Sequence, residues 1–170
     1  MDVLSACSSA SQADNKIAWY ENTDGQGTFS SEKTITTLVN YAYYVYAADI
    51  DGDGDMDVLS ASMNDNKISW YENTDGQGTF SAQKVISTQA NEATAVYAAD
   101  LDGDGDMDVL SAQGSNSRIA WYENTDGQGT FSAQKLISTQ TNIPYSVHAA
   151  DIDGDGDMDV LSASNLSLIH

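Results

Sequence analysis

Ala48-Asp49-Ile50-Asp51-Gly52-Asp53-Gly54-Asp55-Met56-Asp57-Val58 is the stretch from which the rest of the chain can be read. Nearly the same wording returns at 99–109 and at 150–160. Aspartates alternate with small or apolar residues: Asp49, Asp51, Asp53, Asp55 and Asp57, then Asp100, Asp102, Asp104, Asp106 and Asp108, then Asp151, Asp153, Asp155, Asp157 and Asp159. Carboxylates this close repel one another unless a cation lies among them. Aspartate at loop positions 1, 3, 5 and 9, with glycine at 6 for the sharp bend, is the spacing of an oxygen cage for Ca²⁺. Position 7 (Asp55, Asp106, Asp157) is expected to offer its backbone carbonyl and to leave its side chain to solvent or a bridging water. Mg²⁺ keeps several waters and rarely takes an all-protein cage. Zn²⁺ prefers histidine or cysteine, and the loops contain neither. Three Ca²⁺ sites, one per acidic loop, are therefore expected as structural clamps.

An EF-hand opens with similar spacing but needs a bidentate glutamate at position 12 and helices on both sides. Position 12 here is Ser60, Ser111 and Ser162. The loops are entered from Val-Tyr-Ala-Ala or Val-His-Ala-Ala and left through Val-Leu-Ser-Ala, and both flanks read as strands. The site is of the strand-loop-strand kind.

The loops recur every 51 residues, and so do Trp19, Trp70 and Trp121. A period of this size marks a solenoid, a propeller or an array. Each unit reads as four short strands. In the second full unit strand A covers about 95–99, B about 107–112, C about 118–124 and D about 130–138. Asn-Thr-Asp-Gly-Gln-Gly stands between C and D each time, from Asn22, Asn73 and Asn124, and its glycines supply positive φ for a tight hairpin. The expected fold is all-β, with propeller blades of four antiparallel strands. Small Ala-Ala pairs end strand A, where blades converge on an axis, and bulky Ile-x-Trp-Tyr strands fill the space where they splay. A calcium-binding β-helix would carry its nonapeptides in tandem, which these are not.

Residues 1–38 read as strands B to D of a partial blade, 39–90 and 91–141 as full blades, and 142–170 as strands A and B of another. That makes about 3.3 blades in 170 residues, below the usual four to eight. A partial propeller, or a ring completed by self-association, is expected. Met1-Asp2-Val3-Leu4-Ser5-Ala6 matches an internal repeat position and is not a basic-then-apolar leader, so the chain looks like part of something longer. The 7–14 segment makes the first B–C connection four residues longer than its equivalents, and a surface loop is expected there.

Asp-x-Asp-x-Asp-Gly-x-x-Asp between two strands, in a four-stranded unit with Trp-Tyr-Glu-Asn and Asp-Gly-Gln-Gly-Thr-Phe, resembles the FG-GAP or VCBS repeats. These are the blades of integrin-α-like β-propellers, common in secreted and surface proteins of bacteria. The resemblance covers essentially the whole chain. It implies calcium in each A–B loop, at Asp49, Asp51, Asp53 and Asp57 and their counterparts, with carbonyl oxygens from Asp55, Asp106 and Asp157. It also implies an extracellular or cell-surface setting and a role in adhesion or ligand binding. The departure from the family is in blade number, since its rings usually close about seven blades.

Composition narrows the function further. The formal net charge is −20, from 26 acidic and 6 basic residues, and most of the acids lie in the loops. No basic stripe is available to displace counterions from phosphates, which argues against nucleic acid and anionic membranes as partners. No apolar run approaches the roughly 20 residues of a membrane span. Hydrophobic content of 41%, with three tryptophans and nine tyrosines, argues for a packed fold over acidic disorder. Cys7 is the only cysteine, so no intrachain disulfide forms.

No nucleophile stands beside a base: His170 lies in the divergent tail, and Cys7 has no basic neighbour. His148 replaces Tyr46 and Tyr97 in strand A and reads as a packing variant. The tryptophans read as core. Lys33, Lys84 and Lys135, with Lys16, Lys67 and Arg118, read as partners of nearby acids such as Glu21, Glu72 and Glu123. The expected function is a non-catalytic, calcium-clamped propeller segment binding a carbohydrate or protein ligand through the variable linkers at 39–42, 90–93 and 141–144. The alternatives are an architectural spacer, or an accessory module of an extracellular polysaccharide-degrading enzyme.

Overall fold

The structure, a computed structural model, describes residues 1–8 and 15–165. Most of the long first B–C connection and the last residues of the tail lie outside them. Among the described residues there are thirteen strands and no helix. Blade 1 holds β1 (Val3–Cys7), β2 (Lys16–Tyr20) and β3 (Lys33–Thr36). Blade 2 holds β4 (Ala42–Ala48), β5 (Asp57–Ser62), β6 (Lys67–Tyr71) and β7 (Lys84–Ser87). Blade 3 holds β8 (Ala93–Ala99), β9 (Asp108–Gln113), β10 (Arg118–Tyr122) and β11 (Lys135–Ser138). Blade 4 holds β12 (Pro144–Ala150) and β13 (Asp159–Ser164). Each strand pairs antiparallel with the next in sequence, which is the meander of a β-propeller blade.

The acidic loop joins the first two strands of a blade, and its register repeats. Ala48 pairs with Asp57, Ala99 with Asp108 and Ala150 with Asp159, so the ninth loop position is already part of strand B. A bulge interrupts strand A at the same point of each blade, around Tyr43, Thr94 and Tyr145. Strand D is shorter than its sequence suggests: β11 begins at Lys135, although residues from Thr130 onward carry strand-forming side chains. The reason is local. Ser132 Oγ accepts the Glu123 N–H at 3.1 Å and donates to the Ala133 carbonyl at 3.0 Å, turning the chain before the ladder starts. Only an isolated bridge, Asn124 with Phe131, precedes that turn.

Blades stack face to face in chain order, so the middle strands are covered on both sides. All six residues of β5 and of β9 are buried, which is why Val-Leu-Ser-Ala shows no polar alternation. Leu59, Ala61, Ile68 and Trp70 of blade 2 meet Val96, Val109 and Tyr122 of blade 3 in one core. Leu110, Ala112 and Ile119 meet Val147 and Ala149 in the next. Each fully buried large side chain stabilises this packing by about 1.5–3 kcal/mol. Along the innermost strands Tyr46, Tyr97 and His148 form a column, with ring centroids 4.7 and 4.3 Å apart. His148 thus packs where the other blades place a tyrosine.

Candidate metal centre

Each acidic loop is wound by its own carboxylates. Asp49 accepts the N–H of Gly52 at 2.9 Å through Oδ1 and that of Gly54 at 3.1 Å through Oδ2. Asp100 and Asp151 do the same for Gly103 and Gly105 and for Gly154 and Gly156. The second glycine of each loop has positive φ, 93° at Gly54, and lets the chain fold back over the first aspartate. Asp53 Oδ1 accepts the Asp55 N–H at 2.8 Å, and Asp104 and Asp155 repeat that bond.

These turns gather three carboxylates per loop. In the first, oxygens of Asp49, Asp51 and Asp53 lie within 4.8 Å of one another; in the second and third the trios are Asp100, Asp102 and Asp108, and Asp151, Asp153 and Asp159. The donor set is all oxygen, the chemistry of a hard cation. Asp51 Oδ1 is buried with no hydrogen-bond donor, an arrangement that is costly for a carboxylate and that a cation would satisfy. Like charges leave their mark as well: Asp51 and Asp102 titrate above the usual range, through burial first and then through the charge of Asp53 or Asp104. The residues present therefore fit a hard cation such as Ca²⁺, which the trio of each loop could hold.

The ninth position has a second duty. Asp57 Oδ2 accepts the Ile50 N–H at 3.0 Å and Oδ1 accepts the Asn73 N–H at 2.7 Å, so this buried side chain ties the loop to the C–D hairpin of its blade. Asp108 holds Leu101 and Asn124 in the same way. Burial pushes both carboxyls up to about 6, against the pull of those two N–H bonds. Asp108 and Asp159 also belong to the trios of their loops, whereas the trio of the first loop is Asp49, Asp51 and Asp53.

The seventh position differs from expectation. The side chains of Asp55 and Asp106 are half-buried. Their carboxylates occupy the space where a Cβ on Gly76 or Gly127 would be, 2.5 Å from the nearest oxygen. They cover the C–D hairpin of their own blade, and only a glycine leaves room for them. Asp157 is exposed.

Blade boundaries meet the same hairpins. Asn124 Nδ2 donates to the Ile50 carbonyl at 2.9 Å, joining the first loop to the hairpin of the next blade. Trp19 lies over Gly78, and Trp70 over Gly129, so closely that a Cβ there would sit 2.2 or 2.3 Å from the indole. On each indole rests a lysine of the same blade, Lys33, Lys84 or Lys135, 4.2–4.4 Å from the ring centroid. Those lysines pair with Glu21, Glu72 and Glu123. Trp70 is a core residue, as the repetition suggests, whereas Trp19 and Trp121 are half-buried; Trp19 and Trp70 each lie on backbone of the following blade. Sequence reasoning missed these hairpin contacts. The available signal was an eight-residue phrase, from Asn22, Asn73 and Asn124 through phenylalanine, repeated without change although a turn needs only its glycines.

A family model described as FG-GAP-like repeat matches the chain three times, over residues 1–60, 49–111 and 100–162. No curated protein matches it. Among solved structures it is similar to a lectin of Agrocybe aegerita described as recognising non-reducing terminal N-acetylglucosamine, with a TM-score of 0.60 and 23% identity. The alignment covers 86% of this chain and 40% of the lectin, so the chain spans less than half of that protein's length. At this identity the likeness concerns the fold. The three matches together run from residue 1 to residue 162, and the chain belongs to the FG-GAP-like repeat family.

Proposed function

We propose that this chain is a non-catalytic, calcium-clamped propeller segment of an extracellular or cell-surface protein, and that it binds carbohydrate. The observation that carries the calcium reading is the repeated trio of carboxylates, with the buried, donorless Asp51 Oδ1 in the first of them. In this reading the cation neutralises the loop. The residues then do the rest: Asp57 and Asp108 hold the hairpins, and Asn124 holds the neighbouring blade. Binding is an indirect consequence, because rigid loops hold adjacent blades in the spacing a ligand requires.

Carbohydrate is favoured over an anionic ligand by the net charge of −20, and the similar Agrocybe aegerita protein is a lectin. The carboxylates are committed to loop hydrogen bonds and to the cation, which makes them poor general acids. A glycan array probed in Ca²⁺ and again in EDTA tests the reading. Selective binding of neutral glycans that is lost on chelation supports it. Absence of binding in Ca²⁺ contradicts it and leaves the architectural spacer.

A further inference from the structure

The contacts that fix each hairpin repeat from blade to blade, and each kind leaves one half unused at either end of the series. Trp19 lies over Gly78 and Trp70 over Gly129, whereas no glycine lies under Trp121 and nothing lies within 4 Å of a Cβ on Gly27. Asp55 and Asp106 cover Gly76 and Gly127, whereas Asp157 is exposed and nothing lies within 4 Å of a Cβ on Gly25. Asp159 holds Ile152 of its own loop, but among the described residues blade 4 has no hairpin for it to hold. In place of that hairpin a groove of about 340 Å³ lies between the acidic loops of blades 3 and 4, lined by Leu101, Gly103, Asp157 and Met158 among others. One period earlier the hairpin of blade 3 fills the equivalent place, touching Ile50 and Gly52 of one loop and Asp106 of the other.

β13 carries the wording of β5 and β9 without their surroundings. Leu59 and Leu110 are fully buried against the following blade, whereas Leu161 is 41% exposed. The hairpin with its contacts unused is that of blade 1, from Asn22 to Phe29. Phe29 is exposed there, whereas Phe80 packs edge-on against Trp19 of the preceding blade. Blade 1 lacks a strand A among the described residues, and its strand B, β1, lies in a stretch whose residues 1–6 repeat at 158–163. β13 therefore fits against β2 in the register of β1. Val160, Leu161 and Ser162 would stand opposite Tyr20, Trp19 and Ala18, as Val3, Leu4 and Ser5 do within one copy.

We propose that two copies of this chain exchange strands head to tail, with β12, the third acidic loop and β13 of one copy joining β2 and β3 of the other in place of β1. The blade 1 hairpin of the second copy then enters the groove. Its Gly27 lies under Trp121 and its Gly25 under Asp157. Its Asn22 N–H goes to Asp159, and the Asn22 side-chain amide donates to the Leu101 carbonyl. The strand B ladder is the same before and after the exchange, so strand A, the filled groove and the burial of Leu161 are net gains. Each copy keeps two full blades and shares two composite ones, so two junctions close a ring of six. Three copies would make nine, outside the usual four to eight. The proposal is independent of the carbohydrate reading.

Sedimentation equilibrium of the 170-residue chain in Ca²⁺, across a concentration series, tests it. Single copies at the dilute end and a limiting mass of twice 18.1 kDa are expected. A single copy at every concentration overturns the proposal, and so does a mass that keeps rising beyond two copies. Leu161→Lys places a charge at a position exposed in one copy and buried in the pair, and is expected to weaken pairing about tenfold or more. Gly27→Ala carries only its backbone cost in dilute protein but meets the Trp121 indole in the pair, and is expected to weaken pairing as well. Mixed, the two variants retain one intact junction and are expected to form a 1:1 pair that neither forms alone. Variants that pair with themselves as tightly as wild type overturn the junction. If Leu161→Lys melts early even when dilute, Ala18→Cys with Ser162→Cys in a Cys7→Ser background carries the test. Oxidation is expected to link two copies, because within one copy the strand partner of Ala18 is Ser5. Absence of a covalent dimer overturns the strand exchange.

Discussion

Asn124 donates from Nδ2 to the carbonyl of Ile50, at 2.9 Å and across 74 residues of chain. Its Oδ1 accepts the Gly129 N–H at 3.0 Å, and its own N–H goes to Asp108. One fully buried residue, through its side chain and its backbone N–H, therefore joins the acidic loop of blade 2 to the hairpin and the acidic loop of blade 3. The first acidic loop is a boundary element as well as a candidate ion site, and the consequences can be measured.

Asn124→Ala removes a donor and an acceptor from a dry boundary and leaves the Ile50 carbonyl and the Gly129 N–H without partners. A loss of about 1–3 kcal/mol is expected, read by chemical denaturation in Ca²⁺. Asn22→Ala, in the same phrase of blade 1 but half-buried, is expected to cost less.

Asp57 and Asp51 are expected to separate structural from ionic duties. Asp57→Asn places an amide group against a backbone N–H and is expected to lower the melting temperature with or without calcium. Asp51→Asn relieves repulsion from its neighbours, so stability in chelator is expected to hold or rise while the calcium-induced gain at the first loop disappears. Melting both variants in Ca²⁺ and in EDTA checks the contrast.

Gly129→Ala and Gly27→Ala share a backbone cost of about 1 kcal/mol, since φ is +84° and +98°. Only Gly129 has an indole over it, that of Trp70, whereas nothing lies within 4 Å of a Cβ at Gly27. Denaturation of the pair is expected to show a clearly larger loss for Gly129→Ala. Equal losses would remove the tryptophan seat from the account.

Acidity is expected to act in opposite senses on the free and the calcium-bound protein. Asp57 and Asp108 are raised to about 6 in the folded chain by burial, so it holds protons there that the unfolded chain has already released. Their contribution favours the fold at low pH and is lost as pH rises through about 6. In chelator this lowers stability between about pH 4 and about pH 6. Calcium requires the ionised carboxylates, so its stabilising effect is expected to appear over the same interval. Thermal melting across that range, with Ca²⁺ and with EDTA, follows both.

Much of this architecture was legible in the residues. The 51-residue period placed every acidic loop between two strands, and the Asn-Thr-Asp-Gly-Gln-Gly phrase placed every C–D hairpin. These are local signals, set by spacing and turn chemistry. What escaped was which neighbour each repeated residue serves. Gly76 and Gly78 look like two turn glycines, yet one makes room for Asp55 of its own blade and the other for Trp19 of the blade before. Asp57 looks like one more loop carboxylate, yet its register partner Ala48 sets it at the start of the ladder, where it also accepts two N–H groups. Identical words at every period carry no information on contacts between periods, and those contacts decide the blade boundary.

Calcium titration by calorimetry, paired with thermal melting in Ca²⁺ and in EDTA, tests the central claim most directly. Three carboxylate trios predict uptake approaching three ions per chain and a melting temperature several degrees higher with the ion than with chelator. No heat of binding, together with superimposable melting curves, would contradict it.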